Sequence, residues 1–422
     1  MPQQKKNGFG CLPILLLAAL AICIRFGFPS LQTNQISLPE SGFRSVASVN
    51  PAPADSGTFD ALYAPYYAQL SASEQTVYRQ LYQAVTDCAE SFDPQAEMSI
   101  ESLKKVSLAV SYDQPQLFWW EGSFSYSSYE YAPDIPVEVR PIYNDLANDL
   151  ETHQQEFDTA AQQLLSSAAS MQRPQDRELY IHDTLIDLVT YTDNAAYSQT
   201  AYSALVNHET VCAGYTRAFQ YLMMQLDIPC YYCAGTAAES ESLDPQTHSW
   251  NIIQLNGNFY NIDVTWDDNE SSGFTSYVFF NRTDSFFENQ LHIRAQEGFA
   301  LPSCDSTECS LENLFGAQPM IDSLSDYGIS SNSITYDLNG YYQFCEQQLI
   351  AAGSQTGTLY CLVHGEQTMD AISALSSEDM NAGYLNTVFQ TAFPYGSSYS
   401  HSLTSYLVGD EYYFLSQDYT FR

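Results

Sequence analysis

The sequence predicts an α+β protein. Apolar side chains recur at helical spacing on one face from Tyr215 to Leu226, which predicts an amphipathic helix. Two alternating segments then flank Asn256-Gly257, a dipeptide that favours a two-residue type I′ hairpin turn. From residue 330 to residue 422, the order strand, helix, strand, helix, strand, strand predicts a small α/β sandwich. Helices and antiparallel strands are therefore expected in the same chain.

The composition indicates a folded protein without a nucleic-acid partner. The chain has 422 residues, of which 45% are hydrophobic and 14% are aromatic, more than a disordered chain carries. Its 14 basic and 50 acidic residues give a formal net charge of −36. Nucleic-acid binding depends on Lys and Arg that neutralise phosphates, so this balance argues against it.

The N-terminus has the pattern of an export segment. Lys5 and Lys6 precede an apolar run from Cys11 to Ile24, and Arg25 follows it. The run is shorter than the roughly 20 residues that a membrane-spanning helix needs, which favours a signal peptide or a short signal anchor. We therefore expect this segment to contact the membrane and the rest of the chain to be secreted or held at the cell surface.

The chain divides into six predicted segments. Ser71 and Glu74 form a capping-box pattern that predicts the start of a helix, which would belong to an accessory domain. Residues before it are rich in Pro, Ser and Ala and lack apolar periodicity, as is typical of a linker. The predicted segments are the export segment (1–28), the linker (29–57), an accessory α/β domain (58–142), a central core (143–300), a second linker (301–329) and the C-terminal α/β sandwich (330–422).

Cys212 lies at or just before the first turn of the amphipathic helix. The helix dipole and the free backbone N–H groups there favour thiolate over thiol, and the thiolate is the nucleophile of cysteine enzymes. The same N–H groups could hold the oxyanion of an acyl intermediate. An ordinary buried cysteine at a helix start is the alternative, and Cys212 alone does not decide between the two.

The hairpin places a histidine and an aspartate on one face. A two-residue turn at Asn256-Gly257 puts Trp250 opposite Asp263 and His248 opposite Thr265. Opposed residues share a face, as do residues two apart on one strand, so we expect His248 and Asp263 to be diagonal neighbours. A carboxylate beside an imidazole fixes its tautomer and orients it as a general base. With Cys212, these residues form a candidate catalytic triad.

Several stretches resemble the core of the transglutaminase-like superfamily, most closely its exported bacterial members. The resemblance covers roughly residues 175–300, and Ser249 stands where the family usually has glycine or alanine. The stretches, in order, are Ala201-Tyr202-Ser203-Ala204-Leu205-Val206, Cys212-Ala213-Gly214-Tyr215, Asp227-Ile228-Pro229, His248-Ser249-Trp250-Asn251 and Tyr260-Asn261-Ile262-Asp263-Val264-Thr265-Trp266-Asp267.

The resemblance implies a papain-like transglutaminase core between two smaller α/β domains. It implies that Cys212 is the nucleophile, that His248 is the base, and that Asp263 orients it, with a protein or peptide as substrate and with no cofactor or metal. Trp250 and Trp266 are expected to pack around the triad and exclude water, or to contact the substrate. Tyr202 is either a packing residue or part of the substrate and oxyanion site.

Three functions remain open on this basis. One is transfer of the acyl group from a carboxamide to an amine, and the second is hydrolysis by an extracellular cysteine peptidase of the same fold. The third is a non-catalytic cell-surface protein whose acidic flanks bind cationic cell-wall polymers or proteins. Fold and triad do not separate the first two, because one fold hosts several chemistries.

The remaining polar residues are expected to be structural. His182 is predicted on a helix surface and His208 in a loop. Asp267 and Asp268 lack the glycine-bearing acidic loop of a calcium site. Among the cysteines, Cys230 and Cys233 should be buried strand thiols that point to opposite faces, and Cys304 and Cys309, in a polar loop, are candidates for a disulfide.

Overall fold

The computed structural model describes residues 59–268, 273–377 and 399–421. The predicted export segment and the first linker lie outside these residues. Among the described residues, no helix is both long and apolar enough to cross a membrane. Helices and antiparallel strand pairs occur together, which confirms the α+β class at this level.

The described helices range from four to nineteen residues in length. They are α1 (Pro65–Ala68), α2 (Ala72–Thr86), α3 (Ile100–Asp113), α4 (Leu150–Ala168), α5 (Pro174–Leu188), α6 (Cys212–Gln225), α7 (Val264–Asp267), α8 (Asp284–Asn289), α9 (Leu311–Phe315), α10 (Gln318–Ser323), α11 (Leu338–Ala352) and α12 (Glu366–Ser377).

The described strands are between 2 and 12 residues long. They are β1 (Trp120–Tyr129), β2 (Ala132–Tyr143), β3 (Thr190–Tyr191), β4 (Glu209–Thr210), β5 (Cys230–Ala237), β6 (Gln246–Leu255), β7 (Asn258–Ile262), β8 (Ile293–Arg294), β9 (Ile334–Thr335), β10 (Thr356–His364), β11 (Tyr399–Gly409) and β12 (Tyr412–Phe421).

The chain forms two compact units, and neither is one continuous stretch. Unit 1 comprises Met1–Gln163, Tyr191–Ser249 and Glu288–Leu301. Unit 2 comprises Leu164–Thr190, Trp250–Phe287 and Pro302–Arg422. The six-segment division of the sequence therefore stays a prediction.

Unit 1 is built on helices packed beside a hairpin and a strand pair. The predicted capping box at α2 is confirmed, since Ser71 N donates to Glu74 Oε2 at 2.8 Å and Glu74 N donates to Ser71 Oγ at 3.4 Å. Strands β1 and β2 pair antiparallel, as do β5 and β8. Helix α6 buries Tyr215, Phe219 and Leu222 completely, as its apolar stripe requires.

Unit 2 contains the predicted C-terminal order of elements. Strands run in the order β11-β12-β10-β9, with β9 parallel to β10 and the other pairs antiparallel. Helices α11 and α12 contribute Tyr341, Leu349 and Ile372 to a buried core with Val363 and Leu415 of the sheet. The sequence predicts helix from Asp370 to Phe393, and residues 378–393 of this stretch lie outside the described residues.

The cysteines of the described residues carry free thiols. Cys230 and Cys233 are buried on β5, as predicted, and their orientation to opposite faces stays a prediction. The predicted disulfide of Cys304 and Cys309 is wrong, since both are free and buried. Cys309 instead accepts a hydrogen bond from Asn256 Nδ2 at 3.6 Å.

Candidate functional site

Cys212 is the first residue of α6, as its sequence predicts. Val211 precedes it in extended conformation and makes no side-chain cap, and the first turn holds no acidic residue. The Cys212 side chain is buried, with 7% exposure. Because the first N–H groups of a helix have no intrahelical acceptor, this position gives a thiolate or an oxyanion backbone donors and the positive end of the dipole.

A glycine close to Cys212 explains how the helix start fits beside β4. A Cβ atom on Gly214 would lie 1.9 Å from Thr210 Oγ1 and 2.8 Å from Thr210 Cβ. Thr210 is buried, and its hydroxyl donates to the carbonyl oxygen of Ser198 at 2.7 Å. The glycine of the Cys-Ala-Gly-Tyr stretch is therefore required by close approach rather than by a positive φ.

His248 lies in unit 1, on β6, and is buried. The residue that follows it, Ser249, contacts α6 through Thr216, whose Oγ1 lies 3.0 Å from both Ser249 O and Ser249 Oγ. Thr216 Oγ1 also donates to the carbonyl oxygen of Cys212 at 2.8 Å. A short hydrogen-bonded path thus runs from the Cys212 backbone to the neighbour of His248.

His292 is a second buried histidine in unit 1 that the sequence did not identify. Its ring lies edge-on to that of His248, with ring centroids 5.5 Å apart at 81°. His292 Nδ1 lies 2.9 Å from the carbonyl oxygen of Gln290, so Nδ1 carries the proton in the neutral tautomer. A lone histidine just before a two-residue strand carries no local signal of this placement.

Tyr232 is a further polar residue of this region that the sequence analysis missed. It is buried on β5, and the guanidinium of Arg217 lies over its ring at 4.8 Å. Burial raises the pKa of Tyr232 to about 12, Arg217 opposes this rise, and negative charge on Cys212 adds to it. A side-chain hydrogen bond joins Tyr232 to Ser249.

Asp263 lies in unit 2, directly after the last residue of β7. The predicted register is confirmed over the described ladder, which runs from Leu255–Asn258 to Asn251–Ile262. The predicted strand beyond Ile262 is wrong, because Asp263 is the N-cap of α7. Its Oδ1 accepts from Thr265 N at 3.1 Å and from Trp266 N at 3.2 Å, as a helix cap does.

This cap changes the predicted hairpin geometry. Thr265 is a helical residue of α7 and therefore does not oppose His248 in a ladder. Asp263 itself is buried, with 1% exposure. Two backbone N–H donors on one carboxylate oxygen favour the charged form of the acid, which is the form that an imidazole-orienting residue needs.

The three predicted substrate-site residues are all at least partly buried. Trp250 is buried and its Nε1 donates to Asn261 Oδ1 at 3.0 Å, whereas Trp266 packs edge-on against Phe279. Tyr202 is buried in unit 1 and its hydroxyl donates to Glu156 Oε2 at 2.5 Å. These contacts give each side chain a packing role, and substrate contact stays a prediction.

His182 differs from its predicted place on a helix surface. It is fully buried in unit 2, and its ring nitrogens lie 2.9 Å from Asp183 Oδ1 and 3.2 Å from Asp267 Oδ2. The two carboxylates raise the pKa of His182 to about 9 against the opposing effect of burial. Asp267 therefore pairs with a histidine, whereas His208 is exposed after a turn, as predicted.

A buried carboxylic acid lies one helical turn before His182. Glu178 is fully buried on α5, and Asn281 Nδ2 donates to its Oε2 at 3.1 Å. Burial raises the pKa of Glu178 to about 8. Among the residues that the structure describes, Oε1 of Glu178 and Oδ1 of Asn281 have no hydrogen-bond partner. A proton on Glu178 near neutral pH would remove most of the cost of this burial.

Comparisons with known proteins give weak similarities only. No family model and no curated protein matches the chain. Similar solved structures are "a TGase" (13% identity, 34% of this chain and 44% of that chain, TM-score 0.23), "a Putative Cysteine Protease from Cytophaga hutchinsonii" (18% identity, 34% and 61%, TM-score 0.23) and menin (13% identity, 52% and 45%, TM-score 0.19). Each match spans less than two thirds of the solved chain, and TM-scores this low establish neither fold nor function.

Proposed function

We propose that this protein is a thiol-dependent enzyme that attacks a carboxamide of a protein or peptide. The observation that carries the proposal is the position of Cys212, which is buried at the start of a helix that has no side-chain cap and no acidic residue in its first turn. His248 is the proposed base and Asp263 the proposed orienter. Their assignment rests on the sequence motifs, with buried imidazole and buried carboxylate in support.

The proposed reaction runs in two steps. The Cys212 thiolate attacks the carboxamide carbon, and the backbone N–H groups of the first turn of α6 hold the resulting oxyanion. The imidazolium of His248 then gives its proton to the leaving amine or ammonia, and a thioester remains. An amine or a water molecule attacks the thioester, His248 takes the proton of that nucleophile, and the thiolate leaves.

The charge state of Asp263 is central to this proposal. A negative carboxylate stabilises the imidazolium that forms during each step and holds the neutral ring in one tautomer. The hydrogen bonds from Thr265 N and Trp266 N keep this carboxylate charged, as they would in an N-cap. We also propose that the reaction takes place outside the cell, because the basic residues and the apolar run of the N-terminus are typical of an export segment.

The test is turnover of a glutamine-containing peptide by the full chain. Product analysis in labelled amine and in water alone separates acyl transfer from hydrolysis. Cys212→Ala should abolish both, while Cys233→Ala, a buried thiol on β5, is the matched control and should keep activity. Asp263→Asn keeps a capping oxygen but loses the charge, so we expect a fall of up to about 10⁴-fold in kcat.

The non-catalytic alternative predicts a different result. If the wild-type chain forms neither product and iodoacetamide does not label Cys212 in preference to the other thiols, the enzyme proposal is wrong. A surface binding role would then be tested with cationic cell-wall polymer, which the chain's charge of −36 would attract in a salt-dependent manner.

A further inference from the structure

Three buried hydroxyl groups connect the helix of Cys212 to the strand of His248. They belong to Thr216 on α6, Ser249 on β6 and Tyr232 on β5, and each residue is at most 3% exposed. All three lie in unit 1 together with Cys212 and His248. Tyr232, Ser249 and Thr216 together form the hydroxyl chain.

Hydrogen bonds join the members of the hydroxyl chain to one another and to the backbone of α6 and β6. A side-chain hydrogen bond joins Tyr232 to Ser249, and Ser249 Oγ lies 3.0 Å from Thr216 Oγ1. Thr216 Oγ1 is also within donating distance of two carbonyl oxygens, that of Cys212 at 2.8 Å and that of Ser249 at 3.0 Å. Buried polar groups are costly unless paired in this way, so each member fixes the position of the next.

Two members of the hydroxyl chain lie next to the two residues of the proposed attack, Cys212 and His248. Thr216 lies one helical turn after Cys212 and binds its carbonyl oxygen, while Ser249 follows His248 directly. A shift of α6 along its axis by about 1 Å would break the contacts of Thr216, and a misplacement of that size costs a reaction roughly 100-fold. The same shift would change the distance between the thiol and the imidazole.

We propose that Thr216 and Ser249 are positioning residues that hold the nucleophile helix against the base strand, with Tyr232 fixing the outer end of the hydroxyl chain. This inference rests on the proposed function. Neither residue touches the substrate in this scheme. They act through Cys212 and His248. Loss of either hydroxyl lets the distance between Cys212 and His248 vary more widely, but it removes no reacting group.

The test measures the second-order rate of alkylation of Cys212 by iodoacetamide in the full chain from pH 5 to pH 9, with the labelled peptide identified by mass spectrometry. Wild-type Cys212 should react readily at pH 6, where an ordinary thiol is almost wholly protonated. Ser249→Ala and Thr216→Val should lower the rate at pH 6 by about 10-fold to 100-fold and leave the rate at pH 9 nearly unchanged. Thr216→Ser keeps the hydroxyl and should restore most of the rate.

Matched controls separate positioning from stability. Ser107→Ala removes a buried hydroxyl that joins α3 to the carbonyl oxygen of Gly122, and Thr184→Val removes a threonine that donates to the carbonyl oxygen four residues before it. Both should lower the unfolding temperature as Ser249→Ala and Thr216→Val do, and neither should change the pH dependence of Cys212 alkylation. Thr216→Val is nearly isosteric, so it tests the inference even if Ser249→Ala does not fold.

The outcomes distinguish the two proposals. A wild-type Cys212 that reacts only at alkaline pH, as an ordinary thiol does, would refute the proposed nucleophile and this inference with it. Ready reaction of wild-type Cys212 at pH 6 that both Ser249→Ala and Thr216→Val leave unchanged would refute the positioning role alone. A loss that Thr216→Ser does not restore would also count against it, because the hydroxyl would not be the cause.

Discussion

The sharpest test of the site's architecture is the substitution Gly214→Ala. Gly214 is the third residue of α6, and the added Cβ would lie 1.9, 2.8 and 2.9 Å from three side-chain atoms of Thr210. Thr210 has little room to move, because it is fully buried and its hydroxyl donates to Ser198 O. The start of α6, with Cys212, must therefore move instead.

The size of the effect follows from these distances. Carbon atoms in contact are about 3.5–4.0 Å apart, so the contact with Thr210 Cβ is short by about 0.7 Å or more. Overpacking of this kind costs about 1–3 kcal/mol, while alanine in place of glycine in a helix returns about 1 kcal/mol. We expect a net loss of up to about 2 kcal/mol in the free energy of unfolding. A displacement near 1 Å at Cys212 should slow its reaction roughly 100-fold.

The assay pairs urea unfolding with alkylation of Cys212 at pH 6. Gly340→Ala is the matched control, since Gly340 is also the third residue of its helix, α11, and its Cβ would meet nothing closer than 3.5 Å. Gly340→Ala should leave the free energy of unfolding unchanged or raise it slightly. Thr210→Ala should rescue part of the Gly214→Ala defect, because Oγ1 and Cγ2 are removed while Cβ stays. Wild-type stability and alkylation rate in Gly214→Ala would refute the steric explanation.

Three further predictions concern turns, caps and pH. Gly257→Ala should lower the free energy of unfolding by about 1 kcal/mol, because Gly257 has a φ of +85°, which strains a residue with a side chain. The added Cβ would meet no atom within 4 Å, so backbone strain is the whole effect. An unchanged midpoint of urea unfolding would contradict this. Ser71→Ala should cost about 1 kcal/mol through the lost capping box, whereas Ser73→Ala in the same helix should not. Glu178 has a folded-state pKa of about 8 against an ordinary value of 4.5, so its contribution to stability falls as pH rises between these values. Glu178→Gln should flatten that fall in urea midpoints measured from pH 5 to pH 8, and exposed Glu151→Gln should leave it as in the wild type.

The hairpin shows what local sequence can predict. The register over β6 and β7 agrees with the prediction because both determinants, the Asn256-Gly257 turn and the alternation of apolar residues, act within a few residues. The end of β7 was missed for an equally local reason. Asp263 can continue a strand or cap a helix, and α7 has only four residues, too few to show helical periodicity.

His182 shows what local sequence cannot predict. A histidine on an amphipathic helix is expected at the surface, yet this one is buried because Asp267, 85 residues later in the sequence, pairs with it. Charged residues are buried only with partners, and a partner supplied by another element leaves no mark in the neighbouring sequence. The same limit applies to Thr216, Ser249 and Tyr232, which lie on three different elements, and to His292.

The position of Cys212 was predictable because the apolar stripe that follows it marks the start of a helix. The structure adds that this helix start differs from several others in the chain. Acidic residues lie at several helix starts in this chain: Glu74, Glu101 and Asp176 are in the first turns of α2, α3 and α5, whereas the short helices α1 and α10 have none there. Helix α6 has neither an acidic residue in its first turn nor a side-chain cap at Val211. In a chain with 50 acidic residues, a helix start without a carboxylate leaves its N–H groups and its dipole to the thiolate and to the oxyanion that would form on it.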